Sequence, residues 1–194
     1  MKKLAKIISF VFIPPVNLLI IFIFLSLSVY DVTSLQIKSI SIAAIIGFAI
    51  PILVFVFLRF QGSIVDNDAT IRNERTYPYL IGTALSILGT MIALAYGLHP
   101  FIVAAWFSYI VTSIILTVIN TRWKISAHAI GIAIPFAILV FLLGPIGYLF
   151  IFLPFTVSWA RVYQKLHSIP QVASGIVLGY FITYLLLNLS LRLL

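Results

Sequence analysis

Three short stretches of this chain combine cationic and imidazole side chains at spacings suited to work on an anion. The first is SWARVYQKLHSIPQ, residues 158–171, which sets Arg161, His167 and Gln171 between two long apolar runs. An ionisable residue at the junction of two such runs is costly unless it faces a polar cavity or a partner. On one continuous helix His167 would lie about 240° around and about 9 Å along from Arg161, pointing elsewhere. Pro170 argues for a break between them. It disfavours helix at Ile169 and suits the first turn of a following helix, with Ser168 or Ile169 near the cap. His167 then belongs to a helix junction, and Gln171 stands in the first turn beyond it.

The second stretch is TRWKISAHAIG, residues 121–131, with Arg122, Lys124, Ser126 and His128 at the start of an apolar run. Free backbone N–H groups and the helix dipole at such a start favour an anion. Arg122 and Lys124 also suit interfacial anchors beside Trp123, whereas His128 lies deeper than an anchor needs. The third is RNERTYPY, residues 72–79, where Arg72 and Arg75 are spaced to share a helical face and Glu74 is placed to pair with either. Just upstream, Asp66 and Asp68 would diverge by about 200° on a helix, a poor metal pair unless the segment is extended. Imidazole serves as nucleophile, acid or base near neutral pH, so these side chains combine anion binding with acid–base or nucleophilic capacity.

The elements that must position them follow from composition. With 63% of its 194 residues hydrophobic and only 8% charged, and a mean hydropathy of +1.23, the chain reads as an integral membrane protein rather than a soluble domain. Cysteine is absent, which excludes a disulfide framework, a thiolate metal site and a cysteine nucleophile. The net charge of +8 suits anionic headgroups or an anionic substrate, and so few cations spread among spans argue against nucleic acid. The basic N-terminus and the long apolar stretch behind it predict a retained span rather than a secretory signal, bent or broken at Pro14 and Pro15.

Apolar runs near residues 8–30, 39–58, 79–97, 100–119, 126–143, 145–161 and 171–191 predict a single all-α domain over 1–194, a polytopic transmembrane helix bundle of about six to seven spans. Short turns around Pro100 and Pro145 make antiparallel hairpins of the runs they join. Alternating crossings then put the N-terminus and segments 59–78, 120–128 and 162–170 on one face. Ten of the twelve Lys and Arg residues gather there, leaving Lys38 and Arg192 for the other. By the positive-inside rule that face leans cytoplasmic, in the cell (inner) membrane, and for Lys2, Lys3, Lys6 and Arg59 the rule suffices as an explanation. His99, before Pro100 on the opposite face, reads as structural or solvated. Tyr77, Tyr79, Tyr163, Trp106, Trp123 and Trp159 read mainly as an interfacial aromatic belt.

With these residues placed, the chain resembles the type 2 phosphatidic acid phosphatases, a membrane family related in fold to the vanadium haloperoxidases. The family's Ser-Arg, five residues, His, three residues, Asp is matched by Ala160-Arg161, His167 and Gln171, with glutamine where the family has aspartate. Its Pro-Ser-Gly-His is matched by Ile125-Ser126-Ala127-His128. Of its lysine, six residues, Arg-Pro, only Pro78 aligns, with Thr70 and Tyr77 at the other positions and Arg72 and Arg75 nearby. The resemblance covers a core of about residues 70–190. It implies a membrane hydrolase of lipid metabolism, a metal-independent and cofactor-free lipid phosphatase. His167 would be the nucleophile forming a phosphohistidine, His128 the acid, and Arg161 the phosphoryl clamp. Arg72, Arg75, Lys124 and Ser126 would bind substrate, and Gln171 would support His167. The alternatives are a phospholipid-binding or transport protein on the same fold, and a prenyltransferase using Asp66 and Asp68 with Mg²⁺.

Overall fold

The computed structural model describes residues 1–193, and among them the chain is helical with no strand. Helix α1 (Lys2–Val11) is amphipathic: Leu4, Ile7 and Phe10 are exposed, while Ala5 and Ser9 are buried. A 57° bend separates it from α2 (Pro14–Val29). Pro14 and Pro15 occupy the first helical positions of α2, where the missing N–H groups cost nothing. The expected first run of 8–30 is therefore two helices meeting at the proline pair.

Next, α3 (Thr33–Ile42) continues through a π-helical segment, Ala43–Ala49, into α4 (Ile50–Phe60). After a polar loop and a 3₁₀ turn, Asn73–Arg75, come α5 (Thr76–Ala95), α6 (Pro100–Asn120) and α7 (Ala127–Leu143). A 3₁₀ segment, Gly144–Ile151, leads into α8 (Phe152–Tyr163), and α9 (Ile169–Leu193) closes the bundle.

Among the described residues, five helical stretches are long and apolar enough to cross a membrane, and the bent α1–α2 pair makes a sixth if taken as one span. The longest stretch, Ala127–Tyr163, is two passes of the bundle. Gly144 takes a left-handed φ of 59°, and the chain folds back so that the Phe136 and Tyr148 rings lie 6.4 Å apart. Twelve residues of straight helix would separate them by about 18 Å. A methyl group on Gly147 would fall 2.4 Å from the Val140 Cα, so the returning segment lies directly on α7.

The most extensive seam joins α7 to α9. Gly175 and Gly179, one turn apart, press on α7, where an added Cβ would meet Ala129 and Ala133 at 2.9 Å. Small residues at this spacing let helix backbones approach when no hydrophobic driving force separates helix from lipid. The seam fixes the start of α9 beside the start of α7, and the Ser126 N–H donates to the Gln171 carbonyl at 3.3 Å.

Candidate phosphate-binding pocket at the cationic end

Hydrogen bonds between distant segments gather the polar loops at one end of the bundle. Asn120 donates to the Arg72 carbonyl, Arg75 to the Ile125 carbonyl, Arg161 to Asp68, and the Gln164 side chain to Ala5 and Ser9 of α1. At the opposite end the Tyr30 hydroxyl accepts from the His99 N–H, and Lys38 lies over the Tyr96 ring. His99 itself caps α6, accepting from the Phe101 N–H, which is a structural task.

Arg161 and His167 are brought together by the way α8 ends. The Leu166 N–H returns to the Arg161 carbonyl at 3.1 Å and the Lys165 N–H to the Val162 carbonyl at 2.9 Å. This is the Schellman pairing, with Lys165 at the left-handed position, φ 58°, that usually holds glycine. The reversal tucks His167 under the helix end, and both His167 and Arg161 are buried. His167 Nδ1 lies 3.1 Å from Gln171 Oε1, and the same oxygen accepts the Ser168 N–H at 3.1 Å. With its oxygen committed to two N–H groups, Gln171 holds His167 in the Nδ1–H tautomer and leaves the Nε2 lone pair free. Burial, then the charges of Arg75 and Arg161, push the His167 pKa down to about 3, so its ring is neutral near pH 7.

His167, Arg161, Arg75, His128, Tyr79 and Asp68 line one cavity of about 740 Å³. Arg75 is fixed in its wall by bonds from Nε to the Ala69 carbonyl, 2.6 Å, and from a terminal nitrogen to the Ile125 carbonyl, 3.3 Å. Arg161 pairs with Asp68 at 2.5 Å, while its buried Nε has no hydrogen-bond partner among the described residues.

The remaining expected residues are placed differently. Arg72, Lys124 and Ser126 are not among the lining residues. Arg72 is half-buried while Arg75 is buried. Ser126 Oγ caps α7 by accepting the Ala129 N–H. Lys124 stands near enough to share the field, its pKa lowered by burial and by the charges of Arg75 and Arg161.

Asp66 and Asp68 separate in function. Burial opposes ionisation of Asp66, but hydrogen bonds from Thr70 and from the Asp68 and Thr70 N–H groups, with Arg59 nearby, outweigh it and lower its pKa. Asp66 thus holds the loop together, and Asp68 reaches Arg161. No group of three or more His, Cys, Asp or Glu side chains placed to hold a metal occurs among the described residues.

Asp68 and Tyr79 as pocket residues, and Trp106 deeper in, are what the sequence reading missed. Asp68 carried one usable signal, being one of only four acidic residues in a chain of twelve Lys and Arg. Trp106 is no belt residue: it is 1% exposed, because Gly89 leaves a slot whose missing Cβ would lie 2.8 Å from the indole. Comparison with models of known protein families, with curated proteins and with solved structures finds no match for this chain.

Proposed function

We propose that this chain is a membrane lipid-phosphate phosphatase, hydrolysing a phosphomonoester or diphosphate of a lipid through a phosphohistidine. The observation that carries the reading is His167, neutral and held by Gln171 with Nε2 free, on the wall of a cavity it shares with Arg161, Arg75 and His128. In the proposed reaction Nε2 attacks phosphorus as the bond to the lipid oxygen breaks, and His128, protonated in the presence of the bound phosphate's negative charge, gives that oxygen its proton. Neutral His128 then takes a proton from water as the water oxygen attacks phosphorus and the bond to Nε2 breaks. Arg161 and Arg75 offset the charge on the phosphoryl oxygens in both steps.

Phosphatidate, phosphatidylglycerophosphate and polyprenyl phosphates are the substrate types considered, because the pocket stands at the end of an apolar bundle and invites delivery from the bilayer. The gathering of most cations at the pocket end favours a cytoplasmic orientation. The test is phosphate release from such lipids by purified protein in bilayers. His167→Ala is expected to abolish release while lipid binding persists. A folded parent protein that releases no phosphate from any of them overturns the reading.

A second reading, a phospholipid-binding or transport protein without catalysis, draws on two features: Arg161 is already paired with Asp68, and Gln171 supplies His167 with no charge. It predicts that lipid binding or transport survives His167→Ala.

A further inference from the structure

The cavity does not stop at the cationic end. Its wall continues inward along five elements, and the lining residues furthest from the cationic end include Leu18 on α2, Ile46 and Gly47 on the π-helical segment, Ser86 on α5, Trp106 on α6 and Ile134 on α7. From Arg75 at the mouth to Ser86, eleven residues along the chain, is about 16 Å. At that depth the elements interlock. A Cβ on Gly47 would fall 2.2 Å from a Leu18 methyl and 3.2 Å from the Trp106 ring, and one on Gly89 would fall 2.8 Å from the same ring. The π-helical turn shifts the backbone locally, a geometry frequent at functional sites, and places the side-chain-free Gly47 at this point.

A mainly apolar cleft below a cluster of cations fits an amphiphile with an anionic head and a hydrocarbon tail. The cavity, about 740 Å³, has room for a phosphate together with a long hydrocarbon chain.

Resting on the phosphatase reading, we infer that the substrate is a lipid phosphate that inserts one hydrocarbon chain into the bundle interior, with Trp106 as the floor that limits its length. Any second chain stays in the bilayer. Trp106 thus acts on specificity by ending the cleft and takes no part in the chemistry.

The chain has three tryptophans, so Trp123→Phe with Trp159→Phe leaves Trp106 as the sole indole reporter. Alkyl phosphates brominated at the chain end, or next to the phosphate, are added to this protein in bilayers, and phosphate release is read in the same vesicles. The chain-end probe is expected to quench Trp106 emission strongly, and the head-proximal probe only weakly. In the otherwise native protein, Trp106→Ala or the milder Trp106→Phe is expected to shift the preferred chain to greater length.

Absent quenching, or equal quenching by both probes, overturns the inference. Hydrolysis without chain-end quenching sinks the inference alone, and chain-end quenching without hydrolysis sinks the catalytic reading alone.

Discussion

Gln171 is the residue on which the proposed chemistry turns. Its carbonyl sets the His167 tautomer but lends no charge to the imidazolium-like species that forms as Nε2 bonds to phosphorus. Gln171→Glu keeps the reach and both hydrogen bonds and adds a charge that stabilises a positive imidazole, so turnover is expected to rise, on the order of tenfold. The pH profile follows the sign of the shift. His167 in the empty pocket stays neutral down to about 3, so its protonation leaves kcat/KM flat between pH 5 and 7, whereas a carboxylate at 171 raises the His167 pKa and moves the acid limb toward neutrality. The same depression bears on stability: the unfolded histidine, near 6.5, binds more protons than the folded one. His167 therefore contributes stability above about pH 6.5 that is lost as pH falls toward 3. Asp68 is the second decisive residue, a carboxylate on the guanidinium that a phosphate would need. Asp68→Asn leaves Arg161 buried and unpaired at a cost of about 1–2 kcal/mol, reduced because Asp68 is partly solvated. The variant is expected to melt lower than the parent in thermal scans and to be restored by orthophosphate at concentrations that leave the parent unchanged. Equal melting of the two proteins with no response to orthophosphate would show that Asp68 and phosphate do not compete.

At the scale of elements, the sequence carries local signals openly and long-range ones hardly at all. Pro170 announced the break before α9, and Pro14 with Pro15 announced the bend into α2, because proline acts on the backbone beside it. The partners of Gly175 and Gly179 on α7 appear only when the helices are packed. The left-handed turn at Lys165 carried no warning. A lysine there costs about 1 kcal/mol relative to glycine, and only the closure of α8 onto α9 makes it the outcome. Asp68 meets Arg161 across 93 positions, which neither periodicity nor spacing encodes. Trp106 misled the reading because tryptophan in an apolar run looks the same at an interface as in a slot opened by Gly89 and Gly47. Thus residue types for the pocket were legible in Arg75, His128, Arg161 and His167, while the contacts separating Arg75 from Arg72 depend on tertiary packing.

For the molecule as a whole, the arrangement of loops makes a prediction that needs no substrate. The chain lacks cysteine, so single cysteines report cleanly. Gln61→Cys and Thr121→Cys lie at the pocket end and Asp31→Cys at the other, all at exposed positions. A membrane-impermeant maleimide on sealed vesicles is expected to label the first two from one side and the third from the opposite side. If the pocket is cytoplasmic, intact cells label only Asp31→Cys. Labelling of Thr121→Cys and Asp31→Cys from the same side would refute the arrangement. The turn at Lys165 has a further consequence at this scale. The proposed nucleophile and its nearest arginine are tied through one run of backbone, with the Leu166 N–H fastened to the Arg161 carbonyl, whereas Arg75 and His128 come from separate helices. The alignment of the first pair thus rests on local backbone bonds, whereas that of the other two rests on contacts between separate segments.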